Sequence, residues 1–220
     1  GLDSRLIAAV GADIGANMYA YTWGGKDSTD VVYSRQIAKV LGIPWKHIEL
    51  PSDFLVKYTR QWADLFGSAM HFHGMYQMSF LDILRQDLST PILSGYLDDI
   101  LSGNNLIKSI PTSIKLYNEW YTLWSVDELK KLLRISLDSI LPELAESVIS
   151  GYGSLYGSHF QRLLMFELWS RQRYFTNFQA EISNYWQGIA VPFLNRSYAR
   201  FCFSLPRVAL DGRRLLGDVY

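Results

Sequence analysis

The first residues that could do chemistry are Gly1-Leu2-Asp3-Ser4, at the start of a helical pattern. A glycine turn followed by Asp and Ser brings backbone N–H groups and a helix N-terminus together, which suits a phosphate group. Asp3 repels phosphate unless a cation such as Mg²⁺, which prefers oxygen ligands, lies between them. The alternative is that Asp3 and Ser4 are ordinary N-terminal capping residues.

A second candidate segment is Ser94-Gly95-Tyr96-Leu97-Asp98-Asp99, which follows the apolar run Pro91-Ile92-Leu93. Open parallel sheets bind ligands at the carboxyl ends of their strands, so this loop would lie at a ligand-binding edge. A polar loop with an N-cap explains the same residues. The third segment, residues 190–196, places Pro192 before an apolar helix, and by itself indicates only a loop and a buried helix.

Other side chains allow either chemistry or plain structure. His71 and His73 flank Phe72, and on a strand they would share one face, as a pair of metal ligands does. The favoured interpretation is that both histidines form hydrogen bonds and bind no metal. Arg171 and Arg173 either guide phosphate or carboxylate groups or form a solvated helix face. Several aromatic residues either line a pocket or, as we expect, belong to the core: Trp120, Tyr121, Trp124, Trp169, Tyr185 and Trp186.

The elements that position these residues alternate in the first half of the chain. Hydrophobic spacing and capping residues predict strands near 18–23, 48–50 and 91–93, a first helix that ends near Gly11, and helices near 29–41, 54–66 and 74–88. Alternating strands and helices imply a parallel sheet with right-handed crossovers. The predicted fold class is therefore α/β, a parallel sheet with helices on both faces.

The second half favours helices. The Ser125 to Glu128 capping box predicts a helix to about Ile140, and an amphipathic pattern predicts another from His159 to Tyr174. No strand of comparable quality is indicated. We expect one unit over 1–220, with an α/β part over 1–110 and a mainly helical part over 111–220.

Composition excludes several classes of protein. The chain of 220 residues has 21 Lys plus Arg and 21 Asp plus Glu, so bulk charge does not hold it to nucleic acid or to an anionic membrane. Its single cysteine, Cys202, excludes an internal disulfide and predicts a buried small hydrophobe. No apolar window of about 18 residues predicts a membrane span, and no leader is evident, so we expect a cytoplasmic protein.

The order of the three segments resembles the synthetase domain of asparagine synthases, from Gly1 to Arg214. That family has a modified phosphate loop, Ser-Gly-Gly-x-Asp-Ser, and Gly1-Leu2-Asp3-Ser4 matches its last four residues. Ser94, Gly95 and Asp99 match the family's Ser-Gly-Glu-Gly-x-Asp-Glu loop, and residues 191–195 resemble its Val-Pro-Phe-Leu-Asp. Residues 21–24 and 30–42 resemble the family's second strand and the helix after it.

The resemblance implies a fold of the adenine nucleotide alpha hydrolase type, with a central first strand ahead of Gly1. It implies Mg²⁺ and ATP, adenylation of a small-molecule carboxylate, and attack by an amine or ammonia to give an amide. It also implies that a glutaminase domain can precede this chain, and it allows a homodimer. The residues it assigns to ATP are Gly1, Leu2, Asp3, Ser4, Trp23 through its backbone, Ser94 and Gly95; those it assigns to Mg²⁺ are Asp3 and Asp99. Lys108 is a further candidate for ATP binding, because it follows the Ser94-Gly95 loop closely enough to reach pyrophosphate.

Several positions depart from the family pattern. Tyr96 and Ile100 replace its two glutamates, Leu97 its second glycine, and Ala190 an arginine. The family's late lysine is absent, and Arg213 or Arg214 would supply the positive charge near the end of the chain. These departures predict a divergent ligase that makes amides other than asparagine. The rival hypothesis is a non-catalytic protein that retains the fold of this family and acts as an interaction or scaffold module. A third hypothesis, in which the nucleotide chemistry serves tRNA thiolation, ranks last.

Overall fold

The computed structural model describes residues 1–67, 72–79, 81, 90–103, 126–134, 136, 138, 143, 151, 157–186 and 188–217. Among these residues, helices occur together with short parallel strands, so the α/β class is confirmed. The strands are β1 (Ala20–Gly24), β2 (Trp45–Glu49), β3 (Ile92–Leu93) and β4 (Ile189–Ala190).

The α-helices are α1 (Leu2–Asp13), α2 (Thr29–Leu41), α3 (Phe54–Phe66), α4 (Asp98–Leu101), α5 (Val126–Leu132), α6 (His159–Glu167), α7 (Phe178–Trp186), α8 (Arg196–Ser204), α9 (Arg207–Leu210) and α10 (Arg214–Gly217). A π-helix spans Leu168–Thr176, and 3₁₀ turns span Met75–Gln77, Pro192–Leu194 and Asp211–Arg213.

Helix α2 follows directly from its sequence signals. The Ser28 hydroxyl oxygen accepts a hydrogen bond from the Val31 N–H at 3.4 Å, which caps the N-terminus. Gly42 ends the helix in the left-handed conformation at φ 68°. Val31 and Ala38, seven residues apart on one face, are buried, as the helical spacing predicts.

The described strands form two separate parallel pairs. In the first, β1 lies beside β2 in a register that places Ala20 opposite Trp45 and Gly24 opposite Glu49. In the second, β3 lies beside β4, with Ile92 opposite Ile189. The sequence did not predict β4, because a two-residue strand is too short to give an alternating pattern.

The chain divides into two compact units that are discontinuous in sequence. The first unit comprises Gly1–Asp99 with Arg173–Ala199, and the second comprises Ile100–Gln172 with Arg200–Tyr220. The first unit buries one hydrophobic core: Ile48, Tyr58, Trp62, Met75, Met78, Leu81 and Ile182. The second buries another: Ile100, Phe160, Leu164 and Leu210. The predicted division at residue 110, which follows chain order, stays a prediction.

Two predictions for the helical half are wrong in part. Helix α5 ends at Leu132, and Leu133 and Arg134 are not helical, whereas the sequence predicted a helix to about Ile140. Leu132 and Leu133 are exposed, so these two residues provide no buried apolar contact that would extend the helix. The segment predicted as one helix from His159 to Tyr174 changes to π geometry at Leu168.

The aromatic residues also differ from expectation. Trp169 is 52% exposed and Tyr185 58% exposed, although both were expected in the core. Trp120, Tyr121 and Trp124 lie outside the described residues. Cys202 is fully buried, as predicted. No helix in the described part of the chain is long and apolar enough to cross a membrane.

Candidate functional site

The N-terminus of α1 forms the first part of the candidate site. Asp3 lies in the first turn of α1 and is partly buried, whereas Ser4 is exposed. The Ser4 hydroxyl lies 3.5 Å from the Gly1 carbonyl oxygen, to which it donates. Gly1 occupies the N-cap and supplies no side chain to the first-turn N–H groups. The helix therefore presents its partial positive charge beside the Asp3 carboxylate.

Gly95 lies directly against this helix terminus. A Cβ atom on Gly95 would stand 2.8 Å from the Asp3 Cβ, 2.9 Å from the Ser4 backbone nitrogen and 3.1 Å from the Asp3 carbonyl carbon. Real Cβ atoms do not approach backbone this closely, so only glycine fits without a shift. The structure thus brings together the first and second segments that the sequence singled out.

The loop after β3 is ordered by short-range hydrogen bonds. Ser94 extends the β3–β4 pairing, since its N–H donates to the Ala190 carbonyl at 3.0 Å. Its hydroxyl oxygen accepts a hydrogen bond from the Tyr96 N–H at 3.2 Å. Leu97 follows at φ 74°, in the left-handed region that favours glycine, although its side chain is buried.

The two acidic residues at the start of α4 have different surroundings. Asp98 is fully buried, and its Oδ1 accepts a hydrogen bond from the Tyr198 hydroxyl at 2.5 Å. Asp99 is partly buried. Asp98 therefore ties α4 to α8 within the first unit, and Asp99 is the more accessible carboxylate of the pair.

Trp23 packs its side chain into the first unit. Its ring centroid lies 6.2 Å from that of Tyr76, with the two ring planes tilted by 33°. Burial raises the pKa of Tyr76, against the smaller lowering effect of its hydrogen bonds with Gln77 and Trp23. Because the indole is engaged in this packing, the backbone is the part of Trp23 that suits a ligand contact.

Two of the remaining predicted residues belong to the second unit, and two others lie outside the described residues. Arg213 belongs to the second unit, where its Nε donates to the buried Ser102 hydroxyl at 3.0 Å, and its φ is 59°. Arg214 is exposed at the start of α10. Lys108 lies outside the described residues, as does His71. His73 stacks on Phe175 with ring centroids 4.5 Å apart.

The described residues do not indicate a metal site built only from protein side chains. Over the described ranges, no group of three or more His, Cys, Asp or Glu side chains could hold a metal ion. Two carboxylates are compatible with Mg²⁺ in a nucleotide complex, because Mg²⁺ keeps several waters and takes phosphate oxygens.

Comparison of the chain with protein-family models, with curated proteins and with solved structures gives no match.

A groove of about 290 Å³ lies beside the Ser94–Tyr96 loop in the first unit. It is lined by Tyr96, Asn177, Ala180, Glu181, Asn184, Ile189, Val191 and Leu194. Tyr96 is fixed by a 3.3 Å hydrogen bond between its hydroxyl and that of Thr176. Asn177, Glu181 and Asn184 were not predicted as site residues from the sequence, although their spacing of four and three residues is that of one helix face.

Proposed function

We propose that this chain is an ATP-dependent ligase domain that activates a carboxylate and joins it to an amine or ammonia. A carboxylate oxygen bonds to the α-phosphorus of ATP and pyrophosphate leaves. The amine nitrogen then bonds to the acyl carbon, AMP leaves and the nitrogen loses a proton. The finer fold we propose is the nucleotide-binding α/β arrangement of the asparagine synthase-like synthetases.

The observation that carries the proposal is the packing of Gly95 on Asp3 and Ser4. These two loops are far apart in the chain, and the resemblance assigns both of them to the nucleotide. Their contact supports one site rather than two unrelated caps. The backbone of Leu97 supports it further, because Leu97 stands where the family has glycine and adopts a left-handed conformation that glycine favours.

The residues have distinct proposed roles. The first-turn N–H groups of α1 and the Ser4 hydroxyl would hold the departing pyrophosphate, because a helix N-terminus stabilises anionic phosphate. Ser94 and the backbone of Gly95 and Trp23 would contact the nucleotide. Asp3 and Asp99 would hold Mg²⁺, which when bound neutralises phosphate charge. The sequence analysis leaves Lys108, and Arg213 or Arg214, as candidates for further positive charge.

The proposal extends to partners by resemblance. Ammonia would come from a glutaminase domain or from solution, and a homodimer is one assembly that such a domain could form. Tyr96 and Ile100 replace acidic residues that the family uses for its substrate, so the carboxylate we propose is one other than aspartate.

Two measurements on the full-length protein test the proposal. Titration calorimetry should detect Mg-ATP binding, and saturating nucleotide should stabilise the fold by about 2.7 kcal/mol at 100 times Kd through mass action. A panel of carboxylates should then identify one that releases pyrophosphate from ATP. Failure to bind nucleotide at millimolar ATP would refute the proposal and favour a non-catalytic scaffold.

A further inference from the structure

The groove beside Tyr96 has two chemically different sides. Ile189, Val191 and Leu194 supply apolar side chains, and α7 with the residue before it supplies polar ones. A volume of about 290 Å³ lies at the lower end of small-molecule pockets, which suits a short aliphatic ligand. The combination predicts a ligand with an apolar body and one polar head.

Glu181 is the charged side chain of this groove. Its Oε1 accepts a hydrogen bond from the Asn177 Nδ2 at 3.0 Å, across one helical turn, which orients the carboxylate. Among the described residues, no Lys, Arg or His forms an ion pair with Glu181. The groove thus presents an oriented negative charge without a described countercharge, and a cationic head complements it.

Asn184 adds a neutral polar group on the same side. It follows Glu181 by three residues on α7, and both line the groove. Its amide oxygen can accept a hydrogen bond, whereas an anionic head would meet the Glu181 carboxylate unfavourably. A primary ammonium is a compact cation with three donors and no acceptor, so it matches an arrangement of carboxylate and amide oxygens.

We propose that this groove binds a primary ammonium group carried on an aliphatic chain, with Glu181 against the ammonium and the apolar wall against the chain. Tyr96, which lines the groove, directly follows Gly95. Assigning the ammonium compound as a substrate of the ligase rests on the proposed function, whereas its binding does not. The groove then recognises the amine head of the substrate beside the nucleotide loops.

Ligand-observed NMR titrations without nucleotide test the binding. The probes are hexylammonium, 1-hexanol and hexanoate, which share one aliphatic chain and differ in the charge of the head. We expect hexylammonium to bind about fivefold more tightly than hexanol, as an exposed ion pair allows, and hexanoate to bind most weakly. Added salt should reduce the preference.

Two variants and a control decide the outcome. Glu181→Gln preserves shape and the hydrogen bond from Asn177, and should remove the preference for the ammonium. Glu181→Lys should reverse it in favour of hexanoate, while Glu128→Gln, in the second unit, should leave it unchanged. Equal wild-type affinity for hexylammonium and hexanol, or a preference that survives in Glu181→Gln, would overturn the proposal. Ammonium binding without pyrophosphate release would refute the ligase and leave the groove assignment standing.

Discussion

Gly95 is the residue on which the proposed site most directly depends. Its neighbours are backbone and Cβ atoms of Asp3 and Ser4, which cannot rotate away as a flexible side chain would. A methyl group at this position must therefore displace the loop or the first turn of α1. Because both elements would contact the nucleotide, the displacement should affect binding as well as stability.

We predict that Gly95→Ala weakens Mg-ATP binding and costs about 1–3 kcal/mol of stability, the usual range for overpacking. Calorimetry and chemical denaturation measure the two effects. Gly217→Ala is the matched control, since its Cβ would meet nothing within 4 Å. Unchanged nucleotide affinity in Gly95→Ala would separate this contact from the binding site.

Asp3 and Asp99 carry the proposed metal role. We predict that Asp3→Asn or Asp99→Asn lowers the rate of pyrophosphate release about 100-fold or more, because a neutral amide does not replace a metal-binding carboxylate. Asp3→Asn should also lose about 0.3–1 kcal/mol, since Asp3 lies at the positive end of α1. Asp64→Asn, at an exposed position on α3, should behave as wild type. A wild-type rate in either site variant would remove its assigned role.

Single residues were predictable where composition or packing alone decides them. Burial of Cys202 between two phenylalanines follows from its small apolar side chain. Asp98 could not be distinguished from Asp99 by sequence, because only the fold brings the Tyr198 hydroxyl to Asp98. Glu181 was missed for the same reason, since its groove combines α7, β4 and the loop after β3.

At the scale of elements, caps predicted more than hydrophobic patterns did. Helix α2 has both its termini where Ser28 and Gly42 place them. The predicted α-helix after α6 is wrong because this segment is a π-helix, whose hydrogen bonds join residues five apart. Its faces therefore do not follow the α-helical spacing that the prediction assumed. Trp169, which the sequence analysis expected in the core, is the second residue of this π-helix and is exposed.

The contact between α4 and α8 in the first unit gives a second stability prediction. Tyr198→Phe removes a donor from the buried Asp98 carboxylate and should cost about 1.5–3 kcal/mol, as hydrogen bonds to charged groups do. Chemical denaturation measures the loss. Tyr19→Phe, at a ring that is 53% exposed, should change stability by less than about 0.5 kcal/mol. Equal effects would show that the hydroxyl of Tyr198 does not hold α4.

The second unit has its own tight contact, between Gly103 and α9. Gly103 has φ 94°, and its Cβ would lie 2.1 Å from the Leu210 carbonyl oxygen. We predict that Gly103→Ala costs about 3 kcal/mol or more, from left-handed strain plus the clash. Gly15→Ala isolates the strain, because Gly15 has φ 70° in open space, and should cost about 1 kcal/mol. Similar losses in the two variants would mean that the Gly103 contact relaxes without cost.

The two compact units of the molecule are discontinuous in sequence, and sequence patterns alone do not show this division. Residues 173–199 belong to the first compact unit, where they supply β4 as the partner of β3 and Ile182 to the core. A reading along the chain divides α/β from helical character near residue 110, because local patterns carry no information on which distant segment completes a core. The parallel pairing of β1 with β2 was predictable from the alternation of strands and helices. The pairing of β4, in residues 173–199, with β3 was not predictable in this way.

This division predicts that residues 1–110 alone do not fold cooperatively. Without 173–199, β3 loses its partner strand and the first core loses Ile182, which is fully buried. Thermal unfolding of the fragment should show no sharp transition, whereas the full chain should. In the full chain, Ile182→Ala should cost about 2–5 kcal/mol, as large-to-small core substitutions do. Cooperative unfolding of the fragment, or an Ile182→Ala loss below about 1 kcal/mol, would show that the first unit is complete without the returning segment.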